Sequence, residues 1–213
     1  MRRLKQKITE DSSITLFSEK YQEHYHSTKG AVEESFEKFV KPCRIAELAK
    51  SGKIRILDVC FGVGYNSAAA IDVALESNPD CIIEIVGLEN DQNILDEMKN
   101  LNPAFKYYDT IKGEKSDPRV KIKILVADAR VSIKELTEKF DAVFFDPFSP
   151  KVCPELWTKE FFADVKNVMK PGAILTTYSC ARIVRDNMKA VGFKVEDGPV
   201  LGRRGPATIA RLK

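Results

Sequence analysis

From Ile54 onward, short apolar runs alternate with segments whose apolar residues recur at helical spacing. The runs predict strands at 54–59, 82–88, 122–126, 142–145 and 173–178, with a closing pair at 193–195 and 207–212. The intervening segments predict helices at 65–76, 92–100, 131–139, 154–169 and 181–191. Strands that alternate with helices form crossover units. The pattern therefore predicts an α/β fold with a mostly parallel sheet and helices on both of its faces.

Residues 1–50 follow a different pattern. The segment up to Thr28 is polar and aromatic and predicts a small hairpin or extended strand, and a helix is predicted from about Gly30 to Ala49. We interpret residues 1–50 as an N-terminal appendage, or lid, that covers the ligand edge of a domain formed by 51–213.

Composition narrows the class of protein. A chain of 213 residues with 44% hydrophobic and 31% charged residues is typical of a globular domain. No apolar run approaches the roughly 20 residues that cross a bilayer, and no apolar segment follows the basic N-terminus as in a secretory signal. We therefore expect a cytoplasmic protein with no membrane partner. The five cysteines are scattered singly, which favours reduced thiols over disulfides or a zinc site.

Net charge is only +3, but basic residues crowd both ends of the chain. If the ends meet on one face they would form a phosphate-binding patch, as nucleic-acid binding requires. The alternative is two solvated tails.

The stretch ILDVCFGVGYN, residues 56–66, has the form of a nucleotide-binding turn between a strand and a helix. Gly62 and Gly64 allow a ligand to approach the backbone closely. The dinucleotide fingerprint would need a third glycine where Ser67 stands. Asp58 would repel a pyrophosphate but accept hydrogen bonds from an ammonium group. These features favour S-adenosylmethionine over a dinucleotide, and a plain tight turn is the alternative.

The next two predicted strands also end in acidic residues. Glu89 is suited to bind both ribose hydroxyls of a nucleoside. Asp128 is suited to accept from an adenine amine, while the backbone N–H of Ala129 reaches a ring nitrogen. A surface acid and a helix N-cap are the respective alternatives. Because the carboxyl ends of parallel strands meet at one edge of a sheet, we expect these groups to share one crevice.

The fourth predicted strand ends in FFDPFSP, residues 144–150. Asp146 would lie beside the reactive end of the cofactor, where a carboxylate can orient an amine and receive its proton. Phe148 offers a face to a base or to a cationic amine. An Asp-Pro turn is the alternative.

The chain from about Ser13 to Val195 resembles the MnmC-type tRNA wobble-uridine methyltransferases. The segments that carry the resemblance are SEKYQEHYHSTKGAVEES, ILDVCFGVGYN and FDAVFFDPFSPKVCPELW. The resemblance implies a Rossmann-like class I methyltransferase fold with a seven-stranded sheet and an antiparallel closing strand. It also implies methyl transfer from S-adenosylmethionine to the aminomethyl nitrogen at C5 of uridine 34, giving 5-methylaminomethyl-uridine or its 2-thio form.

The resemblance extends to the site and its partners. It adds Tyr25, Phe61 and Asn66 to the predicted cofactor contacts, and it assigns the substrate or tRNA contacts to His24, Phe148, Tyr178, Arg203 and Arg204. The expected partner is the anticodon region of tRNA. Since the flavin domain of some relatives is missing from this sequence, another enzyme would supply the aminomethyl uridine. With only two histidines and no nearby thiolate, no metal is expected.

Two other functions are alternatives, and the sequence departs from the family pattern at one position. An aminopropyltransferase of the spermidine-synthase kind shares the fold, but we expect it to need a more acidic pocket. A non-catalytic RNA-binding module is disfavoured by the four acidic strand ends. Cys60 stands where the family usually has glycine, and this leaves the cofactor affinity open.

Overall fold

A computed structural model describes residues 4–202 and 205–212. Arg203 and Arg204, which we predicted to contact tRNA phosphates, lie outside the described residues. None of the helices within these two ranges is long and apolar enough to cross a membrane.

The main sheet has seven strands in the order β6-β5-β4-β7-β8-β10-β9. Strands β4 to β8 are parallel to one another, and β10 runs antiparallel to both β8 and β9. The predicted seven-stranded sheet with an antiparallel closing strand is confirmed. Its strands are β4 Lys53–Val59, β5 Ile82–Glu89, β6 Val120–Val126, β7 Phe140–Phe145, β8 Met169–Thr177, β9 Lys194–Asp197 and β10 Thr208–Arg211.

A second, three-stranded antiparallel sheet precedes the main one. It consists of β1 Lys5–Ile8, β2 Ile14–Ser18 and β3 Glu23–His24, in that order. The register pairs Phe17 of β2 with His24 of β3. Residues 23–27 lie beside the ends of the main-sheet strands, where they line a cavity together with Glu89 and Asp146. The predicted N-terminal hairpin is therefore present, and its function as a lid stays a prediction.

The helices are short and flank the sheet. They are α1 Ala31–Glu34, a π-helix at Ser35–Val40, α2 Ile45–Ala49, α3 Tyr65–Ser77, α4 Gln92–Met98, α5 Tyr108–Ile111, α6 Ala129–Ser132 and its 3₁₀ extension Ile133–Glu135, a 3₁₀ turn at Pro154–Leu156, α7 Lys159–Asn167 and α8 Arg182–Ala190. The core forms because β4 buries Ile54, Ile56 and Leu57 completely, while α3 covers it with alanines and Ile71.

The predicted helix from Gly30 to Ala49 was wrong as a continuous element. Its middle widens into a π-helix, in which Lys41 N–H bonds to the carbonyl of Phe36. Arg44 then adopts a left-handed conformation, with φ 58°, before α2 begins. Side-chain periodicity reveals a helical face but not a change of turn width, since the π segment is only six residues long and shifts the period over little more than one turn.

Two other predicted helices were too long. The segment 131–139 ends at Glu135, because Leu136 is already extended. The segment 154–169 divides into a 3₁₀ turn and α7, which begins after Thr158, whose side chain accepts from Phe161 N–H at 3.2 Å. Met169 belongs to β8, where it pairs with Phe140. Helix α5 was not predicted.

The turn between β4 and α3 has a steric requirement. Gly64 has φ 75°, and a Cβ there would lie 2.7 Å from Cγ2 of Ile111 and 2.8 Å from the ring of Phe61. The same ring would meet a Cβ on Gly87 at 2.6 Å. Two glycines on neighbouring segments therefore leave the space that Phe61 occupies.

We expect Gly64→Ala to destabilise the protein more than Gly52→Ala. Both positions have a left-handed backbone, which costs an alanine about 1–2 kcal/mol. Only at Gly64 does the added methyl group also collide with buried side chains, which adds about 1–3 kcal/mol, since nothing lies within 4 Å at Gly52. Urea denaturation measures the two free energies of unfolding. Equal losses would contradict the packing argument.

Candidate active site

A cavity opens at the carboxyl ends of the central strands, where β4 lies between β5 and β7. This is the point at which the strand order reverses and where ligands bind in such sheets. The cavity has about 820 Å³ of empty space including its mouth, enough for a nucleoside-sized ligand. Among the predicted site residues, its lining includes His24, Tyr25, Phe61, Gly62, Glu89, Asp146, Phe148 and Tyr178.

The turn after β4 forms the floor of the cavity. Cys60, Gly62 and Gly64 all have positive φ, at 64°, 56° and 75°. Cys60 therefore keeps the backbone conformation that a glycine favours, although it carries a side chain. Gly62 lines the cavity, whereas Gly64 does not, because its close neighbours are Phe61 and Ile111. The glycine at position 64 is explained by packing and needs no ligand.

Glu89, at the end of β5, organises the loops on either side of it. Its Oε2 accepts from Gly62 N–H at 2.9 Å, and its Oε1 accepts from Asn90 and Asp91 N–H at 2.8 and 3.0 Å. Burial raises the pKa of this carboxyl, and the three backbone donors oppose that rise. A carboxylate has about four acceptor positions, so Oε2 keeps one at the cavity wall and can still accept from a ligand.

Asp128 and Ala129 line a smaller cavity beside the first. Cys60, Glu89 and Cys153 line both spaces and so lie between them. Asp128 accepts from Arg130 N–H at 2.9 Å as the N-cap of α6 and also pairs with the Arg130 guanidinium at 2.6 Å. The alternative N-cap role is confirmed, while the adenine contact stays a prediction.

Asp58 and Asn66 lie beneath the turn and do not line the cavity. Asp58 is fully buried and accepts from Ser67 Oγ at 2.6 Å, but its Oδ1 has no partner. Burial raises its pKa to about 8. Asn66 donates from Nδ2 to Asp146 Oδ2 at 2.9 Å, and its Oδ1 also has no partner. Sequence spacing could not distinguish this supporting layer from the cavity wall.

Asp146 follows directly after β7 and projects into the cavity. Its backbone N–H donates to Val59 O at 3.0 Å, which fixes it beside the end of β4. The pKa of its carboxyl is raised well above the ordinary value, first by burial and then by the nearby carboxylate of Glu34. A carboxyl with a raised pKa in a cavity is suited to exchange a proton with a ligand.

The N-terminal segment closes one side of the cavity. Glu23 accepts from both the backbone N–H, at 2.9 Å, and the hydroxyl, at 2.5 Å, of Ser149. Phe148 stacks on Tyr21 at 4.6 Å between ring centroids and meets the edge of Tyr25 at 4.9 Å. These contacts join the β3 region to the loop that carries Asp146. Phe148 is thus already covered on one face by aromatic side chains.

His24 and Tyr178 complete the predicted wall. Burial, together with the charge of Lys7, lowers the pKa of His24. Tyr178 donates from its hydroxyl to Pro147 O at 2.9 Å, and Trp157 donates from Nε1 to Phe148 O at 2.9 Å. The 147–148 backbone is therefore held from two directions.

Sequence reasoning missed Glu34 and Lys38. Glu34 lines the cavity and is 5% exposed, and its carboxylate forms an ion pair of 2.6 Å with Lys38, which is 2% exposed. Glu34 lies near the start of the helix predicted from about Gly30, where an acidic residue ordinarily only complements the helix dipole. Its spacing of four residues from Lys38 was the available signal, but that spacing is equally typical of exposed pairs.

The cavity is acidic. Carboxylates of Glu23, Glu34, Glu89, Asp91 and Asp146 line it, and its described lining contains no lysine or arginine. We expected a spermidine-synthase-like enzyme to need a more acidic pocket, and with this acidic lining the pocket charge by itself does not disfavour that alternative. Among residues 4–202 and 205–212, no three histidine, cysteine or acidic side chains converge as metal ligands.

The residues fit S-adenosylmethionine, which carries a sulfonium and an ammonium group. Acceptors surround the cavity, Gly62 leaves its floor open, and two buried oxygens, on Asp58 and Asn66, lack partners just beneath. A cationic ligand offsets the cost of gathering carboxylates away from water. A pyrophosphate would be repelled.

A family model described as S-adenosyl-L-methionine-dependent methyltransferase matches residues 96–213. The crystal structure of MnmC2 from Aquifex aeolicus is 37% identical in sequence, with a TM-score of 0.89 over 100% of this chain and 72% of that one.

Two curated proteins extend the comparison. An uncharacterised protein of Methanocaldococcus jannaschii is 33% identical over 95% of this chain and 58% of its own length. The bifunctional tRNA 5-methylaminomethyl-2-thiouridine biosynthesis protein MnmC of Leptospira interrogans is 25% identical over 92% of this chain and 34% of its own length. The chain thus spans about a third of that bifunctional relative.

The buried Asp58 predicts a pH dependence of stability. Its pKa is about 8 in the folded protein against an ordinary 3.8, so the folded state binds the proton more tightly. Its contribution to stability is complete below about pH 4 and is lost as the pH rises to about 8. Relative to Asp58→Asn, the wild type should lose free energy of unfolding between pH 5 and 8, as measured by urea denaturation. A difference that stays constant with pH, as expected for the exposed control Glu160→Gln, would contradict this.

Glu89→Ala should weaken the binding of S-adenosylmethionine by about tenfold to a hundredfold, because the predicted acceptor for the ribose hydroxyls is lost. Isothermal titration calorimetry gives the dissociation constant. Glu84→Ala, on the same strand but at its other end, is the matched control. An unchanged dissociation constant for Glu89→Ala would place the ribose elsewhere.

Proposed function

We propose that this chain, which belongs to the MnmC family of S-adenosyl-L-methionine-dependent methyltransferases, methylates the exocyclic aminomethyl nitrogen at C5 of uridine 34 in tRNA. The product would be 5-methylaminomethyl-uridine or its 2-thio form. The observation that carries the proposal is Asp146, a proton acceptor at the end of β7 in an acidic cavity that suits two cations.

The chemistry requires a neutral amine beside the methyl donor. S-adenosylmethionine, when bound, supplies a methyl group whose bond to a positively charged sulfur breaks as the new N–C bond forms. Asp146 orients the amine and accepts the proton that the nitrogen loses. Asn66 holds Oδ2 of that carboxylate at 2.9 Å, which leaves Oδ1 to face the amine. The raised pKa of Asp146 brings its basicity closer to that of the amine and favours the transfer.

The same cavity supports the proposed cofactor contacts. Glu89 would accept from the ribose hydroxyls, and Gly62 would leave room for the methionine part of the cofactor. Asp128 and Ala129, across Cys60, would contact the adenine. Tyr25 and Phe61 would contact the ligand directly, and Asp58 and Asn66 would support the turn from below.

The proposed partner is the anticodon region of tRNA. We assign the contacts of the target nucleotide to His24, Phe148 and Tyr178, which line the cavity. Arg203 and Arg204 are predicted phosphate contacts outside the described residues. A separate reaction that leaves a primary amine on the uridine must supply the substrate. A cytoplasmic location fits this partner and stays a prediction.

The acidic cavity also favours a second candidate, aminopropyl transfer to a polyamine. A polyamine carries several cations, which the carboxylates would bind. The two functions differ in acceptor size, and Phe148 with its stacked Tyr21 offers an aromatic surface for a base that a polyamine does not need.

The test is transfer of labelled methyl groups by the purified protein to tRNA that carries aminomethyl uridine. The wild type should label this tRNA, and putrescine with decarboxylated S-adenosylmethionine should give no product. Asp146→Ala should lower kcat by about 10²–10⁴ while the dissociation constant of S-adenosylmethionine stays close to that of the wild type. If the tRNA acquires no label and the polyamine is aminopropylated, the second candidate is established instead. An unchanged kcat for Asp146→Ala would remove Asp146 from the mechanism.

A further inference from the structure

A buried ion pair from the N-terminal segment reaches the cavity next to Asp146. Glu34 ends α1 and Lys38 lies in the π-helix that follows, and both side chains are almost fully buried. Such a pair is costly to remove from water and contributes little to stability by itself. Only Glu34 of the two lines the cavity, so the pair presents its acidic end to a ligand.

The contacts of Glu34 leave it able to accept more hydrogen bonds. Its Oε1 accepts from Lys38 Nζ at 2.6 Å, and its Oε2 accepts from Ser27 N–H at 2.7 Å. A carboxylate has about four acceptor positions, so each oxygen keeps one. The two existing bonds hold the side chain in one orientation, which lowers the cost of binding a ligand.

The local charge favours a cation. Glu34 and Asp146 carry two carboxyl groups, and Lys38 supplies one positive charge. His26 lines the same cavity, is 8% exposed and has an unpartnered Nδ1. Burial lowers the pKa of His26 to about 4, so the ring is neutral at pH 7 and adds no positive charge. Lys38 therefore balances only one of the two carboxyl groups, and a cationic ligand beside them meets no uncompensated positive charge.

We infer that Glu34 is a substrate-binding residue that selects a positively charged amine and presents it to Asp146. The inference rests on the proposed function and defines its substrate class as an acceptor with a cationic primary amine. The amine arrives as an ammonium ion between the two acidic groups, and its charge favours the ionised form of Asp146. Glu34 keeps one of the N–H groups, and Asp146 takes the proton that leaves. An acceptor that carries a carboxylate next to its nitrogen meets repulsion from both groups.

The experiment compares the binding of two tRNAs, one with aminomethyl uridine 34 and one with unmodified uridine 34, without cofactor at pH 7. Wild-type protein should bind the aminomethyl form about tenfold or more tightly, since a hydrogen bond between charged groups is gained. Glu34→Gln should bind both forms with nearly equal affinity. Glu33→Gln, an exposed neighbour, is the matched control and should keep the preference.

A second variant separates Glu34 from its partner. Glu34→Gln alone leaves Lys38 buried and unpaired, which could repel the amine or destabilise the fold. Glu34→Gln with Lys38→Met removes both charges and leaves an apolar side chain in the buried position. The double variant should also lack the preference for the aminomethyl form. A return of the wild-type preference in the double variant would show that the lysine caused the effect and would overturn the inference.

The outcome also distinguishes the inference from the proposed function. If wild-type protein methylates the aminomethyl tRNA but Glu34→Gln keeps the full preference in binding, Glu34 is not the selecting group and the function stands. If the wild type neither methylates the aminomethyl tRNA nor binds it in preference to the unmodified form, the proposed function is contradicted, and the inference is contradicted with it.

Discussion

A carboxylate removed from water needs hydrogen-bond donors or a cation. This requirement determines the contacts of the acidic residues at the carboxyl ends of the main-sheet strands. Glu89 obtains three backbone donors, and Asp146 obtains the amide of Asn66. Glu34 obtains Lys38 and a backbone N–H. None of these carboxylates is fully satisfied, and all face one cavity. The remaining acceptors are what a cationic ligand would occupy.

The same requirement explains why the N-terminal segment is packed against the sheet. Glu23 of β3 accepts a hydrogen bond from Ser149, and aromatic side chains pack on Phe148 of the same loop. Glu34 of α1 lines the cavity. The loop after β7 is thus held by the N-terminal segment on one side and by Trp157 and Tyr178 on the other. A precise position for Asp146 follows from contacts made by residues far apart in the chain.

The acidity of the cavity changes how the functional alternatives compare. The net charge of the whole chain and the basic residues at its ends give no sign of the acidic cavity, because sequence counts average over the surface and the interior. The fold gathers carboxylates along the cavity, whose described lining holds no lysine or arginine. A site for cations can therefore exist in a chain of positive net charge. Our preference for a tRNA methyltransferase over a polyamine-binding enzyme rests on the relatives of the chain and on the aromatic surface of its cavity.

The sequence by itself determined the sheet, the turn after β4 and the acidic strand ends, because the period of apolar residues and the position of glycines report local geometry. It also indicated Glu89 and Asp146 as members of one crevice, since parallel strands end at one edge. Only the tertiary structure decided that Gly64 serves the packing of Phe61, that Asp58 lies beneath the cavity, and that Glu34 enters it. Each of these depends on which distant residue lies opposite, and local periodicity carries no information about that.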